Sequence, residues 1–312
     1  MAGAGGGARA LKGTRQLSSF LLQLGLTLLG LLAVTFFIGR VVPIDPVLAV
    51  VGDQAPRDVY EAVKRELGLD RPLWVQFGLY VAQMARGDFG VSLVTNRPVI
   101  EDIARVFPAT LELATLATII GVALGVPMGI AGAVWQDRWP DQIVRVIGLV
   151  GYSVPIFWLG IVGLLVFYGI LGWVEGPGRL GVFFEFSVAY IARMTRSFML
   201  EQLSQEYVVT ARAKGMSEAR VVWVHALRNI AVQLVTVIAL SYARLLEGAV
   251  LTETVFAWPG LGRYLTTALL AADMNAVLGG TIVVGVVFVG LNLLSDLLYR
   301  LLDPRAAAAG AS

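Results

Sequence analysis

Uncharged apolar runs near or above the roughly 20 residues needed to cross a bilayer recur along this chain, and they confine it to a membrane fold. The first, Leu17–Ile38, carries no charge for 22 residues. It is longer than the apolar core of a signal peptide, and no small-x-small cleavage site follows it cleanly, so it reads as a retained first span. Pro108–Val134 is the second, with Glu112 near its entry as its one carboxylate. Val146–Val174 is the third, Val232–Leu251 a later one and Ala276–Leu298 the last. Hydrophobic residues make up 57% of the chain and charged ones 15%, outside the usual range for a soluble domain of this length. The expected class is all-α, a polytopic membrane helical bundle.

Within the second run Gly121, Gly125 and Gly129 recur every four residues. One glycine face along a helix in lipid lets another helix approach closely, the alternative being chance in a chain with 35 glycines. Gly151, Ser153 and Pro155 interrupt the third run, which predicts a kink or a broken turn there.

Charge orients the spans. Residues 1–16 carry Arg9, Lys12 and Arg15 and read as a disordered cytoplasmic tail, with 306–312 a second disordered tail. From Arg40 to Phe107 nine acids meet eight bases, so residues 41–107 are expected to form a small folded cap on the extracytoplasmic side. Between Arg193 and Ala231 six Arg or Lys meet three Glu, which places residues 193–231 in the cytoplasm. A return span must precede that loop, yet only Leu180–Ala192 is apolar, with Glu185 inside it and Arg193 and Arg196 closing it. At ~1.5 Å per residue it covers roughly 20 Å of a core of about 30 Å. Six crossings put both termini and the basic loop inside, and five would set the C-terminal tail against the positive-inside tendency. The expectation is therefore six spans with the fourth shortened.

The basic loop carries a punctuated pattern. Glu206, Tyr207, Thr210, Ala211, Arg212, Ala213, Lys214 and Gly215 are followed by Ser217 and by a second amphipathic run with Val221, Val222, Val224 and Leu227. Gly215 can end one helix in a left-handed cap and Ser217 can cap the next. Two short helices hinged at a glycine make a compact knob, suited to docking in a groove of a partner.

The segment EYVVTARAKGMSEARVVWVHALR resembles the cytoplasmic Glu-Ala-Ala loop of ABC importer permeases, in particular the first permease subunit of dipeptide, oligopeptide and nickel systems. RVVPIDPV, LGLDRPLWVQFGLYVAQMARGDFGVSL, RPVIEDIARVFPATLELA, ETVFAWPGLGRY and NLLSDLLYRLLDPR are similar to other parts of that family, in its order and over nearly the whole chain. The resemblance implies a translocation subunit in a bacterial inner membrane with both termini cytoplasmic. It implies pairing with a second homologous permease, two ATPase subunits holding the two coupling loops, and a substrate-binding protein on the cap. Ala211, Ala213 and Gly215 would allow close docking through their smallness, flanked by Glu206, Arg212 and Lys214. The family has several tens of further residues where GRLGVFFEFS meets VAYIARMTRS, as if a segment between Ser187 and Val188 had been removed. Arg244 and Gln233 are departures, standing where the family has a small residue and a proline.

Arg244 and Glu247 lie three apart inside a span, where ionisable groups are costly and face a cavity or a partner. They either line the translocation path or pair with each other. Glu253 is placed with them along that path, and Trp258 is expected at the membrane interface with a tight turn at Pro259-Gly260. No glycine is followed by lysine, so the chain has no Gly-x-x-x-x-Gly-Lys phosphate loop, and catalysis is not expected of it. His225 is the sole histidine and there are no cysteines, which excludes two-histidine zinc motifs and disulfides; no cofactor, metal or nucleic acid is implied. Gly151-Tyr152-Ser153-Val154-Pro155 lacks the last glycine of a nucleophile elbow. The alternatives are an ion-coupled secondary transporter, which would need an internal repeat that the chain does not display, and a permease inactivated by internal deletion.

Overall fold

The computed structural model describes residues 22–39, 46–52, 54–66, 68–173 and 187–302. The two expected disordered tails and most of the short fourth apolar stretch lie outside them. Among the described residues the chain is helical, with no strand beyond an isolated bridge between Val91 and Pro98. It divides into two compact units, residues 1–105 with 267–289, and residues 106–266 with 290–312.

The first unit holds α1 (Leu22–Gly39) and the cap helices α2 (Pro46–Val51), α3 (Arg57–Glu66) and α4 (Leu73–Ala85). It also holds most of α13 (Met274–Leu302). Asp273 caps α13 by accepting from the Ala276 N–H at 3.2 Å. The same buried carboxylate accepts from the Ser92 hydroxyl at 2.5 Å and from the Val94 N–H at 3.3 Å, which ties the loop before α5 to the last helix.

α5 (Val99–Val134) begins nine residues before the expected second span. Pro108 lies within it, because a proline removes one ladder bond without obliging the helix to stop, and Glu101 and Asp102 in the first turn suit the positive helix end. α6 (Trp139–Ser153) and α7 (Ile156–Gly163) are separated at the expected break. Val154, extended at φ −101° and ψ 129°, obeys the restriction a following proline imposes. A π-helical segment, Leu164–Ile170, continues from α7. α8 (Ser187–Leu203) starts where the family-like sequence resumes.

The second unit is built on the glycine face. Gly121, Gly125 and Gly129 are all buried. A Cβ on Gly125 would lie 3.0 Å from the Val188 carbonyl oxygen, and one on Gly129 would lie 2.6 Å from the Thr195 Cβ. α8 therefore rests directly on the α5 backbone. α11 (Leu227–Val255) and α12 (Leu261–Leu270) complete the set, and α11 and α13 both run a few residues past the spans expected for them.

Four helices among the described residues are long and apolar enough to cross a membrane: Leu22–Gly39, Val99–Val134, Glu218–Leu246 and Met274–Leu294. This is two fewer than the six crossings expected. The third run is split at Pro155, leaving a shorter apolar helix at Phe157–Ile170, and α8 carries Arg193 and Arg196 near its middle.

Candidate functional site

The knob expected between two short helices is present. α9 (Glu206–Ala213) ends at Lys214, and Gly215 takes φ +75°. The Gly215 N–H donates to the Arg212 carbonyl at 2.9 Å and the Met216 N–H to the Ala211 carbonyl at 3.2 Å. These two bonds and the Met216–Ala211 contact constitute a Schellman cap. The chain then enters α10 (Glu218–Arg220) and a π-helical turn, Val221–Ala226, that runs into α11. Ser217 occupies the N-cap position with extended backbone, but its side chain makes no capping hydrogen bond. Instead the Arg212 guanidinium reaches over the turn to Glu218, Nε–Oε1 2.7 Å and Nη2–Oε2 3.1 Å. That hydrogen bond lowers the Glu218 carboxyl below its ordinary pKa and raises that of Arg212.

Val208, Ala211 and Val221 form the knob's own small core, with Tyr207 and Met216 against it. Ala211, expected on the docking surface, is thus turned inward at 8% exposure, because a small residue is needed where α9 meets the second arm. Glu206, Thr210, Arg212, Ala213, Lys214, Gly215 and Ser217 are exposed, and a Cβ on Gly215 would meet nothing within 4 Å. Val209, Trp223 and Val224 add exposed apolar surface. The Tyr207 hydroxyl donates to Gln202 Oε1 at 3.0 Å, fastening the knob to the end of α8.

The knob is also packed into the helices beneath it. Val222 and Ala226 of its second arm join Ile230 of α11, Met199 of α8, and Ile130 and Ala133 of α5 in one buried apolar cluster. Beside that cluster lies an ionic joint that the sequence reading did not single out. Asp141, fully buried at the start of α6, accepts from Arg196 of α8 through both guanidinium Nε and Nη2, the second at 3.0 Å. It accepts as well from Arg145 at 2.8 Å and from the Asp137 N–H at 2.9 Å. The Arg196 hydrogen bond, chiefly, holds the Asp141 carboxyl far below the usual carboxylate range. A lone acid in the first turn of a helix, with arginines 4 and 55 residues on, is the only trace of this joint in the sequence.

Glu253 sits at the other end of α11, fully buried. Its Oε1 accepts from the Thr110 hydroxyl at 2.6 Å and its Oε2 from the N–H groups of Gly262 and Arg263 at 2.6 and 3.1 Å. A Cβ on Gly260 would collide with the carboxylate. Trp258, expected at the interface, is 1% exposed and donates from Nε1 to the Ala109 carbonyl at 2.8 Å. The ETVFAWPGLGRY segment thus folds as an internal clamp between α11, α12 and α5, and the tryptophan serves its core. Arg244 is exposed halfway along α11, its guanidinium 5.5 Å from the centre of the Tyr190 ring. The side chain of Glu247 lies outside the described residues.

The family model for the binding-protein-dependent transport system inner membrane component matches residues 103–308, and the model for the N-terminal part of such components matches residues 15–114. A probable D,D-dipeptide transport system permease protein of Escherichia coli K12 is 40% identical, covering 91% of this chain and 95% of the relative. That alignment holds 323 positions against about 284 residues (91% of 312), so the relative carries a net surplus of about 39. The dipeptide transport system permease protein DppB of the same organism is 37% identical over 93% of this chain and 98% of the relative. An inward-facing structure of the MetNI methionine ABC transporter aligns with a TM-score of 0.55 at 19% identity, covering 65% of this chain and 97% of that one, which shows a common fold. The chain belongs to the family of binding-protein-dependent transport system inner membrane components, and is a multi-pass permease subunit of an ABC importer.

Proposed function

We propose that this subunit forms one side of an import path for dipeptides, oligopeptides or similar small solutes, paired with a second homologous permease. Two ATPase subunits hold the knobs of the two permeases, a substrate-binding protein docks on the cap, and both termini lie in the cytoplasm. The names of the peptide-transport relatives support the substrate class. The observation that carries the mechanism is the continuity of the knob with the helices below it. Its cap and core fix its shape, and Val222 and Ala226 lock it to α5, α8 and α11. Close-packed side chains transmit displacement instead of absorbing it, so ATP-driven closure of the partners would tilt these helices as a group.

Arg244 and Glu247 line the path in this reading. Arg244 stands seven residues before Leu251, where the expected span ends, or about 10 Å along the axis, inside the apolar run. A cation at that depth needs water or a protein partner, and the path supplies both. Glu253 supports the path from behind through its clamp.

Gly215→Leu tests the coupling role. A side chain at φ +75° costs on the order of 1–2 kcal/mol and would hold the knob away from its groove. Uptake of a labelled dipeptide panel should be lost while the protein still inserts in the membrane. Uptake at the wild-type rate would show that the knob does not couple.

A further inference from the structure

We infer that α4 is an interfacial helix, lying in the headgroup layer of the leaflet at which α1 ends and fastening the cap to the lipid surface. Its 13 residues, LWVQFGLYVAQMA, contain no charge, and Arg71 and Arg86 stand just outside its two ends. Such a helix is about 20 Å long, too short to span the bilayer, and an apolar segment of that size beside a membrane suits the interface.

The packing fixes its depth. Phe77 meets Phe36 of α1 edge-on with ring centres 5.4 Å apart, and Tyr80 lies 5.6 Å from the same ring. The Tyr80 and Thr35 hydroxyls share a hydrogen bond of 2.9 Å. Phe36 is four residues before Arg40, the first charge after the uncharged run Leu17–Ile38, only about 6 Å along a helix axis. A helix held against that end of the uncharged run sits at the boundary between acyl chains and headgroups.

The rest of its surface suits that boundary. Phe77, Tyr80, Val81 and Met84 share the face at i, i+3, i+4 and i+7 that meets α1, and Gln76 and Gln83, seven apart, form one polar strip. The remaining circumference carries Trp74 at 76% exposure, with Gly78, Leu79 and Ala82. Leu73, also exposed, stands at the first position. In water that face would be an apolar liability; at a lipid surface the tryptophan ring has its preferred position, and the two flanking arginines reach lipid phosphates.

The chain has no cysteines, so single-cysteine proteins at positions 74 and 79, with Glu61→Cys as a water-exposed control on α3, can carry an environment-sensitive fluorophore. In the full importer reconstituted in phosphatidylcholine nanodiscs, probes at 74 and 79 should be blue-shifted. Shallow doxyl-labelled lipid should quench them strongly and deep doxyl-labelled lipid weakly, while the probe at 61 responds to iodide alone. Iodide quenching without lipid quenching at 74 and 79 would place α4 in water. A blue shift with no quenching by either agent would mean that a protein partner covers the face. Either result overturns the proposal.

Discussion

At the scale of single residues, the positions that matter most are those whose backbone or charge has no substitute. Asp141 is such a position, because its buried carboxylate is shared by Arg196 and Arg145. Breaking a buried pair by removing one partner costs about 3–5 kcal/mol. Asp141→Asn should therefore lower thermal stability of the detergent-solubilised importer, measured by tryptophan fluorescence, far more than Glu218→Gln, whose pair is exposed. The pH dependence follows from the sign of the shift. The folded pKa is depressed, so the contribution is complete above the unfolded value of about 3.9 and is lost only as pH falls through the lower folded value. From pH 5 to 8 the difference between wild type and Asp141→Asn should stay flat; a difference that changes across that window would mean that another group dominates.

At the scale of elements, the close approach of α8 to α5 is the contact on which the second unit depends. Gly129→Ala would force a Cβ to within 2.6 Å of Thr195 and 3.0 Å of the Arg196 backbone nitrogen, with backbone on both sides and little room to give. Overpacking of this kind costs about 1–3 kcal/mol, so the yield of folded permease after detergent extraction should fall. Gly163→Ala, in a helix where the added Cβ meets nothing within 4 Å, is the matched control and should extract like wild type. Equal yields for the two would remove the glycine face from the account. The same contact shows how far sequence carries. A four-residue glycine period announces a close helix partner, but nothing in the period says that the partner is α8.

At the scale of the whole molecule, the shortened region before α8 decides topology. The alignment with the D,D-dipeptide permease of Escherichia coli carries a surplus of about 39 positions, in the direction that a missing segment requires. Restoring roughly 40–60 residues of family-like sequence between Ser187 and Val188, enough for an extracytoplasmic loop and a full span, should give a stably inserted six-span protein. Single cysteines at positions 173 and 217 should then react from opposite sides of the membrane. If they already do so in the chain as it stands, the short segment crosses by thinning the bilayer or by burial against a partner. The chain lacks a phosphate loop, and we expect the purified subunit alone to show no ATP hydrolysis above background. Robust hydrolysis by the isolated chain would overturn the division of labour between permease and ATPases.

Sequence by itself determined the class, the main apolar runs, the break at Pro155 and the glycine-capped knob. Each of these depends on local chemistry: a run of apolar side chains, a proline that restricts its predecessor, a glycine that alone takes φ +75° without strain. Tertiary structure decided what faces inward. Ala211 looks like a docking residue in the loop pattern and Trp258 like an interfacial one, yet both are buried, the first in the knob and the second beneath α5. The Asp141–Arg196 joint closes across 55 residues, and Glu253 finds Thr110 across 143. Residue type and spacing constrain neighbours within a helical turn or two; which distant side chain completes a buried polar group is fixed only when the helices pack, because packing alone removes the water that would otherwise satisfy it.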